Sequence, residues 1–410
     1  MKSPMMSALV IGASRGIGRQ IALTLARNGY GVTVAAKTVE STERLPGSIH
    51  TVVDEIQRDG GVAFPVQCDC RQESDVRNAV RVTHERFGRL DAVIYNAGAI
   101  TWQPVLETPL KRLDLMLDVN VRGAYVTVQE SVPVMLQQKF GRLVLVAPPI
   151  YNRFFKGKTP YSITKVGMTV LAMGLANELR DTGVSICTLW PATVIQSHVT
   201  DVMHVPRSHM RTPDIFADAV CRIVQEPTDK LNGKVLLDED YLRSEGMTDF
   251  TRYRCDPDVE PPRMMPRALP DLTVQEEHEQ LNILNKDSKL LNGKVLLDED
   301  YLRSEGVTDF TRYRCDPDVE PPRMMPRALP DLTVQEEHEQ LNILNKDSKL
   351  LNGKVLLDED YLRSEGVTDF TRYRCDPDVE PPRMMPRALP DLTVQEEHEQ
   401  LNILNKDSKL

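Results

Sequence analysis

Aromatic residues make up only 5% of this 410-residue chain, and tryptophan occurs just twice. No run of about 20 apolar residues exists, the length a helix needs to cross a bilayer, so no membrane span is expected. Met1 to Met6 holds one Lys and a Pro without the long apolar core of a secretory leader, so none is expected. Cysteine is scarce: of seven residues, Cys255, Cys315 and Cys375 are copies of one position, too few for a disulfide framework. A reducing compartment fits that usage. Cys68-Asp69-Cys70 lacks a second pair at zinc spacing, and His278, among Glu276, Glu277 and Glu279, lacks a second His for a zinc motif, so no metal is expected. An excess of positive charge is missing as well: the net charge is −10, which argues against a nucleic-acid partner.

What is present in excess is repetition. Leu231–Leu290, Leu291–Leu350 and Leu351–Leu410 are one unit three times over, differing only where Met247 becomes Val307 and Val367. Each copy carries 8 Lys+Arg against 13 Asp+Glu, so the acidity sits in the repeats and residues 1–230 are mildly basic. Each copy opens on Leu-Asn-Gly-Lys-Val-Leu-Leu, a strand-like sequence, then turns acidic and Pro-rich. Only one copy can complete a sheet. Lengthening the connecting loop from ~5 to ~65 residues costs roughly 2 kcal/mol, so the first copy is expected to supply the strand. The expected organisation is a domain over 1–250, a Pro-rich acidic tail over 251–290, and repeat copies over 291–350 and 351–410.

The chain is organised around its start. Ala8-Leu9-Val10-Ile11 reads as a strand, Gly12-Ala13-Ser14-Arg15-Gly16-Ile17-Gly18 as a turn, and Arg19 to Asn28 as a helix with Ile21, Ala22, Leu25 and Ala26 on one face. Gly12 permits a tight turn, Gly16 lets backbone approach a pyrophosphate, and Gly18 lets helix and strand pack closely. A helix N-terminus placed there attracts an anion. Beyond it, strands at 31–36, 62–66, 91–95, 142–146, 184–189 and 233–237 alternate with helices at 49–59, 72–87, 110–138, 161–182 and 213–225, around an irregular insertion at 38–48. That alternation predicts a doubly wound, Rossmann-type α/β fold: a parallel seven-stranded sheet with helices on both faces and its ligand at the strands' carboxyl ends.

Tyr161-Ser162-Ile163-Thr164-Lys165 places a phenol and an ammonium one helical turn apart. A cation so close should lower the phenol's pKa and fit it for proton transfer. With Gly12, Gly16 and Gly18, Asp69 after the third strand, Asn96-Ala97-Gly98 after the fourth, and Asn120, the chain over residues 7 to about 250 resembles the short-chain dehydrogenase/reductase family. Lys111 to Met116, Pro148-Pro149, Trp190-Pro191 and Asp238-Glu239-Asp240 resemble its hydroxysteroid dehydrogenase-like protein 2 branch, without the sterol-carrier domain that may follow there.

The resemblance implies roles. Tyr161 is the acid/base, Lys165 lowers its pKa and binds the nicotinamide ribose, and Asn120 holds a water that passes protons to Lys165. Asp69 accepts from the adenine amino group, unless it merely caps its strand. Asn96 closes the adenine-ribose side, Gly98 allows close backbone approach, Val194 or Ile195 offers backbone to the carboxamide, and Ser197 faces the pyrophosphate. Homo-oligomers through the long helices are usual in that family. Cofactor choice follows from the residues: where NAD sites carry an acid at the end of the second strand, Ala36-Lys37-Thr38 stands, with Arg15 in the turn. Two cations and no carboxylate predict NADP, unless Lys37 is only solvated.

One departure counts against the family pattern. A Ser is expected after the fifth strand, and the chain reads Val146-Ala147-Pro148-Pro149, with no side-chain donor. Losing such a donor costs about 3–4 kcal/mol of transition-state stabilisation. Tyr151 or Thr159 could substitute. The last three residues, Ser408-Lys409-Leu410, match the address read by the peroxisomal import receptor. The expectation is a peroxisomal NADP(H)-dependent oxidoreductase acting on a carbonyl or secondary alcohol of a lipid-like, acyl-CoA or secondary-metabolite substrate. The alternatives are an enoyl- or dienoyl-CoA reductase, or a protein that binds NADP(H) without catalysis.

Overall fold

Strand β1 (Ser7–Ile11) sends Ala8 and Val10 to one face of a sheet and Leu9 and Ile11 to the other, and all four are buried. A strand apolar on both sides needs cover on both sides. The computed structural model describes residues 5–43 and 45–267, and there the chain supplies that cover. In order come α1 (Gly16–Arg27), β2 (Gly31–Ala36), α2 (Ile49–Arg58), β3 (Val62–Gln67), α3 (Glu73–Phe87), β4 (Ala92–Tyr95), α4 (Leu110–Met116), α5 (Gly123–Gln138), β5 (Gly141–Val146) and α6 (Thr159–Glu178). After them follow β6 (Val184–Trp190), the two-residue β7 (Val194–Ile195), α7 (His198–Val202), the two-residue β8 (Met210–Arg211), α8 (Asp214–Ile223), α9 (Thr228–Leu231), β9 (Val235–Leu237) and α10 (Asp238–Ser244).

Seven strands form one parallel sheet in the order β3-β2-β1-β4-β5-β6-β9. Val10, Val34 and Val144 meet Ile21 and Leu25 of α1, Val52 of α2 and Phe216 of α8 on one face. Ile11, Val93 and Leu145 meet Val76 of α3, Val128 of α5 and Met168 of α6 on the other. This is the expected doubly wound fold. Strand order reverses at β1, between β2 and β4, and that switch point is where such sheets bind ligands.

The first repeat copy supplies the seventh strand, with Val235 against Thr188 and Leu237 against Trp190, as the shorter loop predicts. The acidic triplet after it opens α10 and is not strand. Packing continues past residue 250: Tyr253, Cys255 and Met265 are buried, and the Met264 and Met265 N–H groups both donate to the Ala192 carbonyl. The stretch 251–267, expected in the tail, therefore belongs to the packed fold. The remaining tail with His278, the second and third repeat copies, and Ser408, Lys409 and Leu410 lie outside the described residues.

The helix expected over 110–138 is interrupted. Between α4 and α5, Leu117–Arg122 forms a π-helical turn, and Asn120 sits in it, fully buried. Such turns are rare and gather at functional sites. Helix α6 begins two residues before Tyr161, with Pro160 in its first turn where a missing N–H costs nothing. Among the described residues no helix is long and apolar enough to cross a membrane.

Candidate active site

The glycine turn is built as its spacing requires. Gly12 has φ +86°, and a Cβ there would lie 2.5 Å from the Ala97 nitrogen; one on Gly18 would lie 2.1 Å from the Gly12 carbonyl oxygen. Only hydrogen fits either place. A Cβ on Gly16 would meet only the Ser197 Cβ, at 3.8 Å, so this side of the turn stays open. Ser14 is buried, and Ile17 packs against the core below the turn. Helix α1 has no acidic residue in its first turn and no side-chain cap, so its leading N–H groups stay available to an anion. An open cradle at an uncapped helix start fits the pyrophosphate of a dinucleotide.

Asn96 braces this turn: its Nδ2 donates to the Gly12 carbonyl at 2.9 Å. Ser197 stands beside Gly16, and its hydroxyl caps α7 by accepting from the Thr200 N–H. Val194 and Ile195 pair in parallel with Met210 and Arg211, which holds this segment's backbone in place.

At the end of β2 the two predicted cations are placed differently. Arg15 donates to the carbonyls of Pro46 (3.1 Å) and Gly47 (2.8 Å), so it pins the 38–48 insertion over the turn. Among the described residues no carboxylate pairs with it, and burial lowers its pKa. Lys37 is largely exposed, with Nζ 3.6 Å from Asp69 Oδ2. Asp69 also accepts two N–H groups from Arg71, whose guanidinium lowers the carboxyl pKa to about 2. Its Oδ1 also accepts the Arg71 backbone N–H at 3.2 Å, so it caps the turn after β3 while facing Lys37.

Around Tyr161 the structure departs from expectation. Tyr161 and Lys165 are both buried on α6, and Gly98 lies beside Lys165 and Asn120: a Cβ built on it would be 3.5 Å from Lys165 Nζ and 3.6 Å from Asn120 Oδ1. The predicted fall in the phenol's pKa is not seen. Burial raises the Tyr161 pKa well above the usual phenol range, and the same burial lowers Lys165 to about 7. Desolvation disfavours both charged forms, and a lysine that is half neutral stabilises a phenolate weakly. The Lys165 Nζ donates to the Val146 carbonyl at 2.9 Å and lies 5.7 Å from the Trp190 ring centre.

Asn120 is held by the backbone after β4 and by α6. Its Oδ1 accepts from the Ala99 N–H at 2.8 Å, while its Nδ2 donates to the Ala99 carbonyl and to Thr164 Oγ1, both at 2.9 Å. Both Nδ2 hydrogens are engaged, while Oδ1 accepts one bond and keeps a second lone pair on the Gly98 and Lys165 side. It also ties the segment after β4 to α6, because Thr164 Oγ1 in turn donates to the Tyr161 carbonyl at 2.8 Å.

Ala147 is fully buried among apolar neighbours. Of the suggested substitutes, Tyr151 is buried, and Thr159 is exposed with its hydroxyl turned to the Phe155 carbonyl. Residues that sequence reasoning passed over complete the site. Phe154 lies 6.4 Å from the Tyr161 ring and meets Trp190 edge-on at 5.7 Å, and Lys158 Nζ sits 4.6 Å from the Phe154 ring centre and 5.4 Å from that of Trp102. The scarcity of tryptophan was the available signal, since both copies stand here. The acidic triplet, noted in the sequence only as a resemblance, has partners here. Asp238 accepts from the Ala192 N–H, Glu239 pairs with Arg211 and Arg243, and Asp240 accepts from Arg263. Burial pushes Asp238 up to about 7.

The short chain dehydrogenase family model matches residues 6–204. Hydroxysteroid dehydrogenase-like protein 2 of Danio rerio is 38% identical over 252 residues, 60% of this chain and 60% of the relative. Its Homo sapiens counterpart is 36% identical over 255 residues, 61% of this chain and 60% of the relative. This chain thus spans about 60% of the length of these curated relatives. Among solved structures, a candidate dehydrogenase from Xanthomonas campestris superposes with TM-score 0.60 at 37% identity, over 62% of this chain and 95% of that one. A short chain dehydrogenase from Mycobacterium thermoresistibile gives 0.59 at 37% identity, over 62% and 92%.

Proposed function

This chain belongs to the short-chain dehydrogenase/reductase family, oxidoreductases that use a nicotinamide cofactor, and from that premise we propose an NADP(H)-dependent enzyme acting on a carbonyl or secondary alcohol of a lipid-like substrate. The observation that carries the reading is Tyr161 buried one turn from Lys165 on α6, with Gly98 beside Lys165. NADP(H), when bound, supplies or takes the hydride. The chain's own residues do the rest. Tyr161, its pKa raised by burial, holds its proton at neutral pH and donates it from Oη to the oxygen of a carbonyl being reduced. Lys165, at about 7, is poised to resupply that proton and to hydrogen-bond the nicotinamide ribose. Asn120 acts as a positioning residue through Thr164. Gly12, Gly16, Gly18, Ser14 and Ile17 shape the pyrophosphate cradle, Val194 and Ile195 present backbone to the carboxamide, Ser197 stands by the phosphates, and Asp69 and Asn96 serve the adenosine half.

The choice of NADP rests on Arg15 in the turn and Lys37 directly after β2, a position that holds no acid of its own although Asp69 stands 3.6 Å from Lys37. A charge-assisted contact to the 2′-phosphate is worth ~1.5–3 kcal/mol, so Lys37→Asp should weaken NADPH binding roughly 10- to 100-fold while leaving NADH binding equal or tighter. Titration of both cofactors by fluorescence reads this, and unchanged NADPH affinity defeats the assignment. The reaction itself is tested by NADPH consumption on a panel of ketones and enoyl-CoA thioesters. Buried Ala147, with no hydroxyl to hold a carbonyl oxygen, favours the enoyl- or dienoyl-CoA reductase as second reading. Consumption on no member of the panel leaves the non-catalytic binder.

The peroxisomal location rests on Ser408, Lys409 and Leu410 as a ligand of the import receptor. A fluorescent protein carrying the last repeat at its C-terminus should enter peroxisomes, and its Leu410-deleted form should stay outside. Identical distributions reject the location.

A further inference from the structure

Lys158 precedes Tyr161 by three residues at the start of α6. Its ammonium is sandwiched rather than paired: Nζ lies 4.6 Å from the centre of Phe154 and 5.4 Å from that of Trp102. Desolvation lowers its pKa, and among the described residues no carboxylate offsets that. Arg211 and Arg89 offset their burial with Glu239 and Asp91, and Arg142 and Lys165 with backbone carbonyls, whereas the Lys158 ammonium faces rings. A partly desolvated ammonium without such a partner is costly to keep. The same Phe154 ring that covers Lys158 packs on the Tyr161 ring, so cation and phenol share one aromatic wall. Leading away from Trp102, the segment after β4 exposes Ile100, Val105 and Leu106, the last of them completely. Cation and phenol thus stand against one aromatic wall, and the segment that carries Trp102 bears exposed apolar side chains.

We propose that Lys158 is a specificity-determining residue that pairs with a carboxylate on the substrate, making the preferred substrate an oxo or hydroxy acid with an apolar chain. This rests on the reductase reading given above. A carboxylate is favoured over a phosphate because one ammonium balances one charge, whereas a phosphate is normally held by several donors. The absence of a hydroxyl at Ala147 adds to the case: with no side chain there to hold the reacting carbonyl, an anchor elsewhere on the substrate must fix its pose.

The test uses the full chain with NADPH and pairs of medium-chain oxo acids and their methyl esters. The acid should be favoured in kcat/KM by about 10- to 100-fold, the range of one charge-assisted contact. Lys158→Met should collapse the ratio towards one, while Lys156→Met, an equal loss of charge at an exposed neighbour, should leave it unchanged. No preference in the wild type, or a preference that survives Lys158→Met, overturns the proposal. If neither acid nor ester is turned over, the reductase reading has failed and binding alone decides. Octanoate, octan-1-ol and octyl phosphate are then titrated while tryptophan fluorescence is followed. Tighter binding of octanoate that is lost in Lys158→Met supports the carboxylate site; equal affinities, or octyl phosphate binding best, reject it.

Discussion

Replacing Tyr161 by Phe is expected to lower kcat for carbonyl reduction by about 10²- to 10⁴-fold, the usual worth of a positioned general acid, with NADPH affinity almost unchanged. The phenol is buried against Phe154, so Phe keeps the packing and removes only the hydroxyl. Steady-state kinetics beside a cofactor titration reads both quantities, and turnover within threefold of wild type would end the mechanism proposed. Lys165→Met should also lose turnover, but it should differ in stability. Lys165 is lowered to about 7 from an ordinary lysine value of 10.5, so between those pH values the unfolded chain binds more protons than the folded one. Stability therefore rises as pH climbs through that window, and at pH 7 and below the full cost of a buried charge is present. Removing the charge should raise Tm at pH 7 by several degrees and flatten its rise between pH 7 and 10. Tyr161→Phe should leave the stability profile as it is in that range.

The second large effect lies far from the phenol. Arg211→Met is expected to destabilise the fold by about 3–5 kcal/mol, the cost of removing one partner from a buried charge network. Arg211 is 1% exposed and ties three segments together: it pairs with Glu239 at the start of α10 and with Glu260, and it donates to the Phe250 carbonyl. Backbone bonds run beside it, from the Thr212 N–H to the Tyr253 carbonyl and from the Cys255 N–H to the Met210 carbonyl. Losing the guanidinium leaves Glu239 to Arg243 alone and frees residues 250–265 from β8. For a domain of this size, about 2–4 °C accompanies each kcal/mol, so Tm should fall by roughly 6–20 °C. Arg77→Ala, which breaks exposed pairs with Glu73 and Glu130, should leave Tm almost unchanged. A Tm change below 2 °C for Arg211→Met would show that the strap does not hold the fold together.

Legibility followed the range of the interaction. Alternating apolar strands and helical spacing are local patterns, so the element order could be read from residues a few positions apart, to within one or two residues for most elements. The π turn at Leu117–Arg122 escaped because its apolar spacing matches that of an ordinary helix; only the buried Asn120, reaching to Ala99 and Thr164, marks the difference. Lys158 escaped because its neighbours Trp102 and Phe154 come from two separate loops. Residues 251–267 read as tail because Pro257, Pro261 and Pro262 break every period, yet proline permits a strap held by tertiary contacts.

Sequence by itself determined the doubly wound sheet, the glycine turn, the Tyr161–Lys165 spacing and the absence of an acid after β2, because each is a matter of residue type at short separation. Tertiary structure alone decided the charge states and allegiances. It lowered Lys165 and raised Tyr161, bound Arg15 to the Pro46 and Gly47 carbonyls, turned Asn120 into a brace, and placed Lys158 between two rings. Burial and long-range partners set those outcomes, and no spacing along the chain encodes how much water a folded site excludes.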